Sequence, residues 1–275
     1  MKLKTLLITT IGAFAIAGAN TTATAGDTAP AVDPKAVVEE AESTFSGELS
    51  VGYDTRYIFR GLWFGDNTAW GNLAVAKEIT SKLTWSANVF YTDVMDNDLD
   101  YSEGNLGTAL SYESNVGTFG LGMTYYRFFD GFAGDNQTGP AGQRDTTEIY
   151  ISYSRELFYG ITGTFLAAYD FRIHAEYLEA GLGKSWELCD IVSLDTAFAV
   201  GYGLNDYYSE ALSGDDANAF THILVSVGLP IKVTENSVLR PHVSANFSGD
   251  ARSKGNAASI GDEEVFYGVS FAVSF

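Results

Sequence analysis

Three histidines occur in 275 residues, and two of them, His222 and His242, lie in stretches where polar and apolar residues alternate. His242, Ser244 and Asn246 are spaced by two, so an extended chain carries all three on one face. Serine, histidine and asparagine together could supply a nucleophile, its base and a group to orient the base. No Gly-x-Ser-x-Gly elbow accompanies them. A histidine beside a serine on a polar face is more often a lining than a catalyst.

The same spacing gathers a second set of reactive groups: Asp54, Arg56, Arg60, Glu148, Asp170, Arg172, Glu179, Asp195 and Arg240. Each alternates with Leu, Val, Ile, Phe or Tyr. Their companions on the polar face are Gly, Ala, Ser and Thr. Charges of both signs among small side chains can do one of two things. They can surround a water-filled passage and set its polarity, or they can pair with one another and close it. The residues alone leave both readings open.

A third group of acids lies between these stretches: Asp96, Asp98, Asp100 and Glu103, then Asp206, Glu210, Asp215 and Asp216. Asp96-x-Asp98-x-Asp100 imitates the start of a calcium loop but lacks its glycine and its distant glutamate. We read these acids as a solvated rim that gathers cations at a pore mouth and is bridged to lipopolysaccharide by divalent ions. No resident metal and no cofactor is expected.

The elements that position these residues are strands. Twelve are expected, at 48–60, 69–79, 82–94, 104–113, 117–129, 146–156, 160–172, 174–187, 191–203, 218–229, 237–248 and 265–275. The last reads VFYGVSFAVSF, with one face bulky and the other nearly bare. Each is long enough to cross a bilayer when tilted, which takes about 9–11 residues. Connections alternate. Short turns fall near 80–81, 114–116, 158–159, 189–190 and 230–236, and longer Gly/Asp/Asn-rich loops at 61–68, 95–103, 130–145, 204–217 and 249–263. Only the connection near His174 is short where a long one is due. This alternation predicts a single antiparallel up-and-down transmembrane β-barrel over 46–275, with both termini on the short-turn, periplasmic side.

The faces follow from cost. An arginine held against lipid at mid-depth costs roughly 2–4 kcal/mol, so the charged face of small residues must look inward. Lys77, Arg155 and Lys184 fall near the short-turn ends, where long side chains reach the headgroups. Tyr57, Phe59, Trp85, Tyr91, Tyr112, Phe129 and Trp186 lie near strand ends, as in an aromatic girdle. Pro241 is mid-strand and predicts a bulge or a missing ladder bond.

Composition agrees with export to a membrane. Lys2 and Lys4 precede an apolar run from Leu6 to Ala19, and Ala23-Thr24-Ala25 offers a cleavage site, with Ala19 as a second choice. Residues 1–25 read as a signal peptide and 26–45 as a periplasmic linker. Cys189 is the lone cysteine, so no internal disulfide is possible. No other stretch approaches 18 uninterrupted apolar residues, so any membrane crossing is made by strands. A formal net charge of −19 argues against nucleic acid as a partner.

Two resemblances add to this reading. The final strand, ending on Phe275, resembles the closing strand of bacterial outer-membrane barrels, which implies recognition by the outer-membrane assembly machinery. The run Tyr57-Ile58-Phe59-Arg60-Gly61 resembles the Tyr-x-Phe-Arg-Gly signature of the TorF-like (Gcw_chp) family of outer-membrane proteins. Weaker similarity continues through Gly71 to Tyr126 and at Glu148-Ile149-Tyr150. The stretch Leu62 to Ala69 departs from the polar Ser/Gln-rich type of that family. The resemblance implies location and fold, and no substrate. The expectation is an outer-membrane pore for small polar solutes with a charged lumen. A non-conducting structural or surface-binding barrel is the alternative, and a membrane-embedded hydrolase a weaker one.

Overall fold

The computed structural model describes residues 45–96, 101–130, 145–205, 207, 218–249 and 263–275. The expected signal peptide, all but the last residue of the linker, and most of the loops expected around 97–100, 131–144, 206–217 and 250–262 lie outside the described residues. So do Asp98, Asp100, Asp206, Glu210, Asp215 and Asp216 of the acidic rim.

The strands are β1 (Phe45–Phe59), β2 (Leu62–Thr80), β3 (Leu83–Asp96), β4 (Ser102–Ser114), β5 (Gly117–Asp130), β6 (Asp145–Glu156), β7 (Thr162–Asp170), β8 (Ala175–Cys189), β9 (Val192–Leu204), β10 (Ala219–Gly228), β11 (Ile231–Thr234), β12 (Ser237–Ser248) and β13 (Glu263–Ser274). Sequential neighbours from β1 to β10 pair antiparallel, as do β11 with β12 and β12 with β13. β10 and β11 each pair with both β9 and β12, so they are two pieces of one crossing. β13 pairs with β12 and with β1, the latter from Glu48↔Ser274 to Asp54↔Gly268. The result is a closed barrel of twelve crossings, and closure removes the edge strands that an open sheet would expose. Gly47 and Phe275 tie the seam by exchanging both backbone hydrogen bonds, at 2.8 and 2.9 Å.

The exterior is apolar. Val51, Leu121 and Ile151 are more than half exposed, at 51%, 58% and 56%, whereas Asp54 and Glu148 are at 0% and 1%. That inverts the usual soluble pattern, and it is what a wall facing hydrocarbon requires. Tyr91, Tyr112, Phe129 and Trp186 stand exposed on the same outer face. Lys184 reaches Tyr159 O at 2.6 Å, laying its ammonium over Trp186.

The strand break falls where two prolines meet. β10 stops and β11 starts around Leu229-Pro230, opposite Pro241 of β12. Leu229 N still donates to Pro241 O at 2.9 Å, but Pro241 has no N–H to return. On its other side Pro241 pairs with Val269 with no shift in register.

The turn expected at 230–236 holds β11 and is only Glu235-Asn236. One expected loop is likewise a strand. Residues 62–68 belong to β2, and the β1–β2 connection is only Arg60-Gly61. Both residues have positive φ, 50° and 84°, as a two-residue type I′ hairpin turn requires. A second correction concerns Arg172. It lies in the turn between β7 and β8, where Asp170 Oδ1 accepts from the backbone N–H of Arg172 at 2.8 Å and of Ile173 at 3.2 Å. An aspartate satisfying the backbone just beyond it ends the strand.

Candidate functional site

The β1–β2 hairpin leaves the wall. β1 pairs with β13 only as far as Asp54, and β2 pairs with β3 only from Asp66. Beyond those points β1 and β2 pair in the ladder only with each other, and their register slips between Tyr57 and Ile58. A two-stranded ribbon by itself is marginal. This one gains its neighbours by folding into the lumen.

Its root packs on the near wall. Tyr57 and Phe59, which alternation places on the lipid side, turn inward with the ribbon, and Tyr57 is fully buried. The Tyr57 ring lies 5.7 Å from Phe64 and 5.8 Å from Tyr101. The Tyr57 hydroxyl donates to Glu103 Oε1 at 2.8 Å, Asn105 Nδ2 donates to the same oxygen at 2.9 Å, and the Tyr101 hydroxyl takes the other. Glu103, placed in the acidic rim by sequence, is thus a buried acceptor in β4.

Its tip reaches the far wall. Arg60 donates to Glu148 of β6 through both Nη atoms, at 2.6 and 2.8 Å, and to the Tyr207 hydroxyl. Its guanidinium carbon sits 4.2 Å from the Tyr177 ring centroid on β8. A non-glycine residue in the left-handed region costs roughly 1–2 kcal/mol, and this bidentate pair offsets it. Burial raises the Tyr207 phenol above its ordinary pKa, so it meets Arg60 uncharged. Leu62 packs on a cluster that includes Tyr150, Leu166, Tyr177 and Tyr207. The Gly61 carbonyl accepts from Asn246 Nδ2 of β12 at 3.4 Å. In a ring of twelve, β7 is opposite β1, so the ribbon spans the lumen.

The remaining charges form local sets. Asp54 accepts from Trp70 Nε1 at 2.7 Å, and its other oxygen lies 2.8 Å from His242 Nε2, out of line for a hydrogen bond. Arg56 pairs with Asp66 at 3.6 Å and with Glu264. Asp195 and Arg240 face each other at 3.6 Å in the short-turn half. Glu179 accepts from the Tyr177 hydroxyl at 2.7 Å and Asp170 from the Thr146 hydroxyl at 2.6 Å. Arg172 lies over Phe128, its guanidinium carbon 5.3 Å from the ring centroid. His222 shares a 2.9 Å hydrogen bond with Thr221, and Ser244 donates to Ser226 at 2.8 Å rather than to a histidine. Asp66, Trp70, Tyr207 and Glu264 join these sets without having been singled out in the sequence, and Glu103 joins them from the expected rim. For Asp66 and Glu103 the signal was present, since each continues the alternation of its strand beyond the range assigned to it.

The two halves of the lumen differ. Toward the long-loop end the inward side chains Thr68, Thr92, Asn105, Thr124, Glu148 and Asp170 are buried. Toward the short-turn end Ser86, Asn88, Ser111, Ser152, Thr162 and Ser185 keep partial exposure. A vestibule of small polar residues thus opens at the short turns and ends at the ribbon. Among the described buried side chains are five carboxylates, Asp54, Glu103, Glu148, Asp170 and Glu264, and one arginine, Arg60, which pairs with Glu148.

No family model and no curated protein matches the chain. Solved structures do. The COG4313 outer membrane channel from Pseudomonas putida F1 is 14% identical with a TM-score of 0.53, covering 89% of this chain and 100% of that one. The chain has the fold of an outer-membrane β-barrel. More distant matches are the KdgM porin in complex with disordered oligogalacturonate (11% identity, TM-score 0.45, 84% and 99% covered) and LpxR from Salmonella typhimurium (9%, 0.46, 82% and 99%). At these identities the likeness is one of fold.

Proposed function

We propose that this chain is a pore of the bacterial outer membrane for small polar solutes, with a preference for cations. The observation that carries the reading is the vestibule. A wall of apolar side chains encloses a passage of Ser, Thr, Asn and Gly, with carboxylates in excess where it narrows. Such an interior has no use as a hydrophobic core, and its charge favours positive solutes. In this reading the signal peptide is removed, residues 26–45 and the short turns face the periplasm, and Phe275 is presented to the assembly machinery. The long loops meet lipopolysaccharide. The Tyr57-x-Phe59-Arg60-Gly61 resemblance to the TorF-like family belongs to the same proposal.

Conductance of the purified barrel in a planar bilayer, with the reversal potential in a salt gradient, tests it. A measurable current with a cation-side reversal potential is expected. The ribbon also supports a second reading, a structural barrel that never conducts, because its tip is packed as tightly as a core. Silence from both the wild type and a variant with residues 57–64 replaced by a short Gly/Ser turn would establish that alternative.

A further inference from the structure

Arg60 occupies a receptor that it did not build. Glu148 supplies both carboxylate oxygens, Tyr177 supplies a ring face, and Tyr207 supplies a hydroxyl and a second ring 5.6 Å away. Tyr126, on β5, adds a hydroxyl that is buried without a hydrogen-bond partner, its ring 6.2 Å from that of Phe59 beside Arg60. All four come from the wall and the segment after β9; only the occupant comes from the ribbon. The occupant's ribbon is held by side chains rather than by a ladder, since pairing with β13 ends at Asp54 and pairing with β3 begins at Asp66, and Arg60 has a positive φ. Were the tip to withdraw, Glu148, whose exposure is 1% with Arg60 against it, would be left as a carboxylate flanked by aromatic faces and without its cation. That arrangement demands a cation. Two parallel oxygens match a planar guanidinium better than a point-charge ammonium, and tyrosine faces attract either.

We propose that Glu148, Tyr177 and Tyr207 form a binding station for guanidinium-bearing solutes on the permeation path, and that Arg60 is a tethered stand-in which such a solute displaces. The station rests on the pore reading for its purpose, though not for its existence. Exchange frees the ribbon tip, so occupancy by solute and opening of the passage are linked. A competitor held on the same chain lowers the apparent affinity of the wild type, and removing it restores the intrinsic value.

The test uses the full barrel, refolded in detergent, as wild type, R60A and R60A/E148Q. Folding of each is checked by heat-modifiable gel migration, and methylguanidinium is the probe. R60A is expected to bind methylguanidinium at least about tenfold more tightly than wild type, and R60A/E148Q at least about tenfold more weakly than R60A, read from thermal unfolding against probe concentration. Methylammonium should bind R60A several-fold more weakly than methylguanidinium. Equal binding by R60A and R60A/E148Q would overturn the station. In bilayers, methylguanidinium should raise the open probability of wild type and reduce the current through R60A. A current through R60A that ignores the probe sinks the station while leaving the pore intact. Binding by R60A without any current in any variant sinks the pore reading instead, and with it the station's place on a permeation path.

Discussion

Gly61 and His222 meet across the lumen so closely that a Cβ on Gly61 would lie 2.6 Å from the Cβ of His222. The two belong to the hairpin turn and to β10, and φ at Gly61 is 84°. No side chain fits there on either count. Gly61→Ala should therefore push the ribbon tip away from β10 and disturb its seat on the far wall. We expect it to destabilise the barrel by about 1–3 kcal/mol and to raise single-channel conductance. Chemical unfolding and bilayer recordings check the pair of effects. A variant as stable and as quiet as wild type would show that the tip does not seat against His222.

Glu103 accepts from Tyr57, Tyr101 and Asn105 at once. Glu103→Ala leaves three buried donors without their acceptor, a loss of about 1–3 kcal/mol. The ribbon root rests on this acceptor, so the loss should be accompanied by faster proteolysis between residues 55 and 65. Mass spectrometry of limited digests would locate the cuts.

The assignment of faces makes a paired prediction. Leu121 on β5 is 58% exposed on the outer wall, and Ser111 on β4 faces the vestibule. Leu121→Arg should cost roughly 2–4 kcal/mol of stability in lipid vesicles, and Ser111→Arg less than about 1. Reversible unfolding from vesicles measures both. Equal costs would mean that the wall has been turned inside out.

Asp195 and Arg240 stand opposed in the vestibule at 3.6 Å. Asp195→Asn should move the reversal potential toward anions, and Arg240→Gln should move it further toward cations. Both shifts should shrink between 0.1 and 1 M KCl, because the screening length falls from about 10 Å to about 3 Å. Shifts that persist undiminished at high salt would point to a steric filter.

The barrel itself was legible because alternation is local. Val51, Leu121 and Ile151 point outward whichever strand lies beside them, and the short turns expected at 80–81, 114–116 and 189–190 are found within one residue, at Ser81-Lys82, Asn115-Val116 and Asp190-Ile191. The expected twelve crossings are present, closed through β1 and β13. Pro241 likewise marked a gap in the ladder, although the break shows in its partner, at Leu229-Pro230, rather than in its own strand. Arg172 was misplaced because the alternation does not register the capping carboxylate of Asp170.

The residues by themselves determined a wall, its two faces and its crossings, since side-chain direction reverses at every position of an extended chain. They did not determine that 55–65 abandons that wall. Alternation assigns Tyr57 and Phe59 to the lipid side and reads 61–68 as a loop. Only the folded barrel decides otherwise. The pairing of β13 ends at Asp54 and that of β3 at Asp66, and the ribbon must then bury itself against residues such as Glu148, 88 positions away from Arg60. A contact of that separation leaves no periodic trace in the chain, because each partner takes its meaning from the other only once the barrel has closed around both.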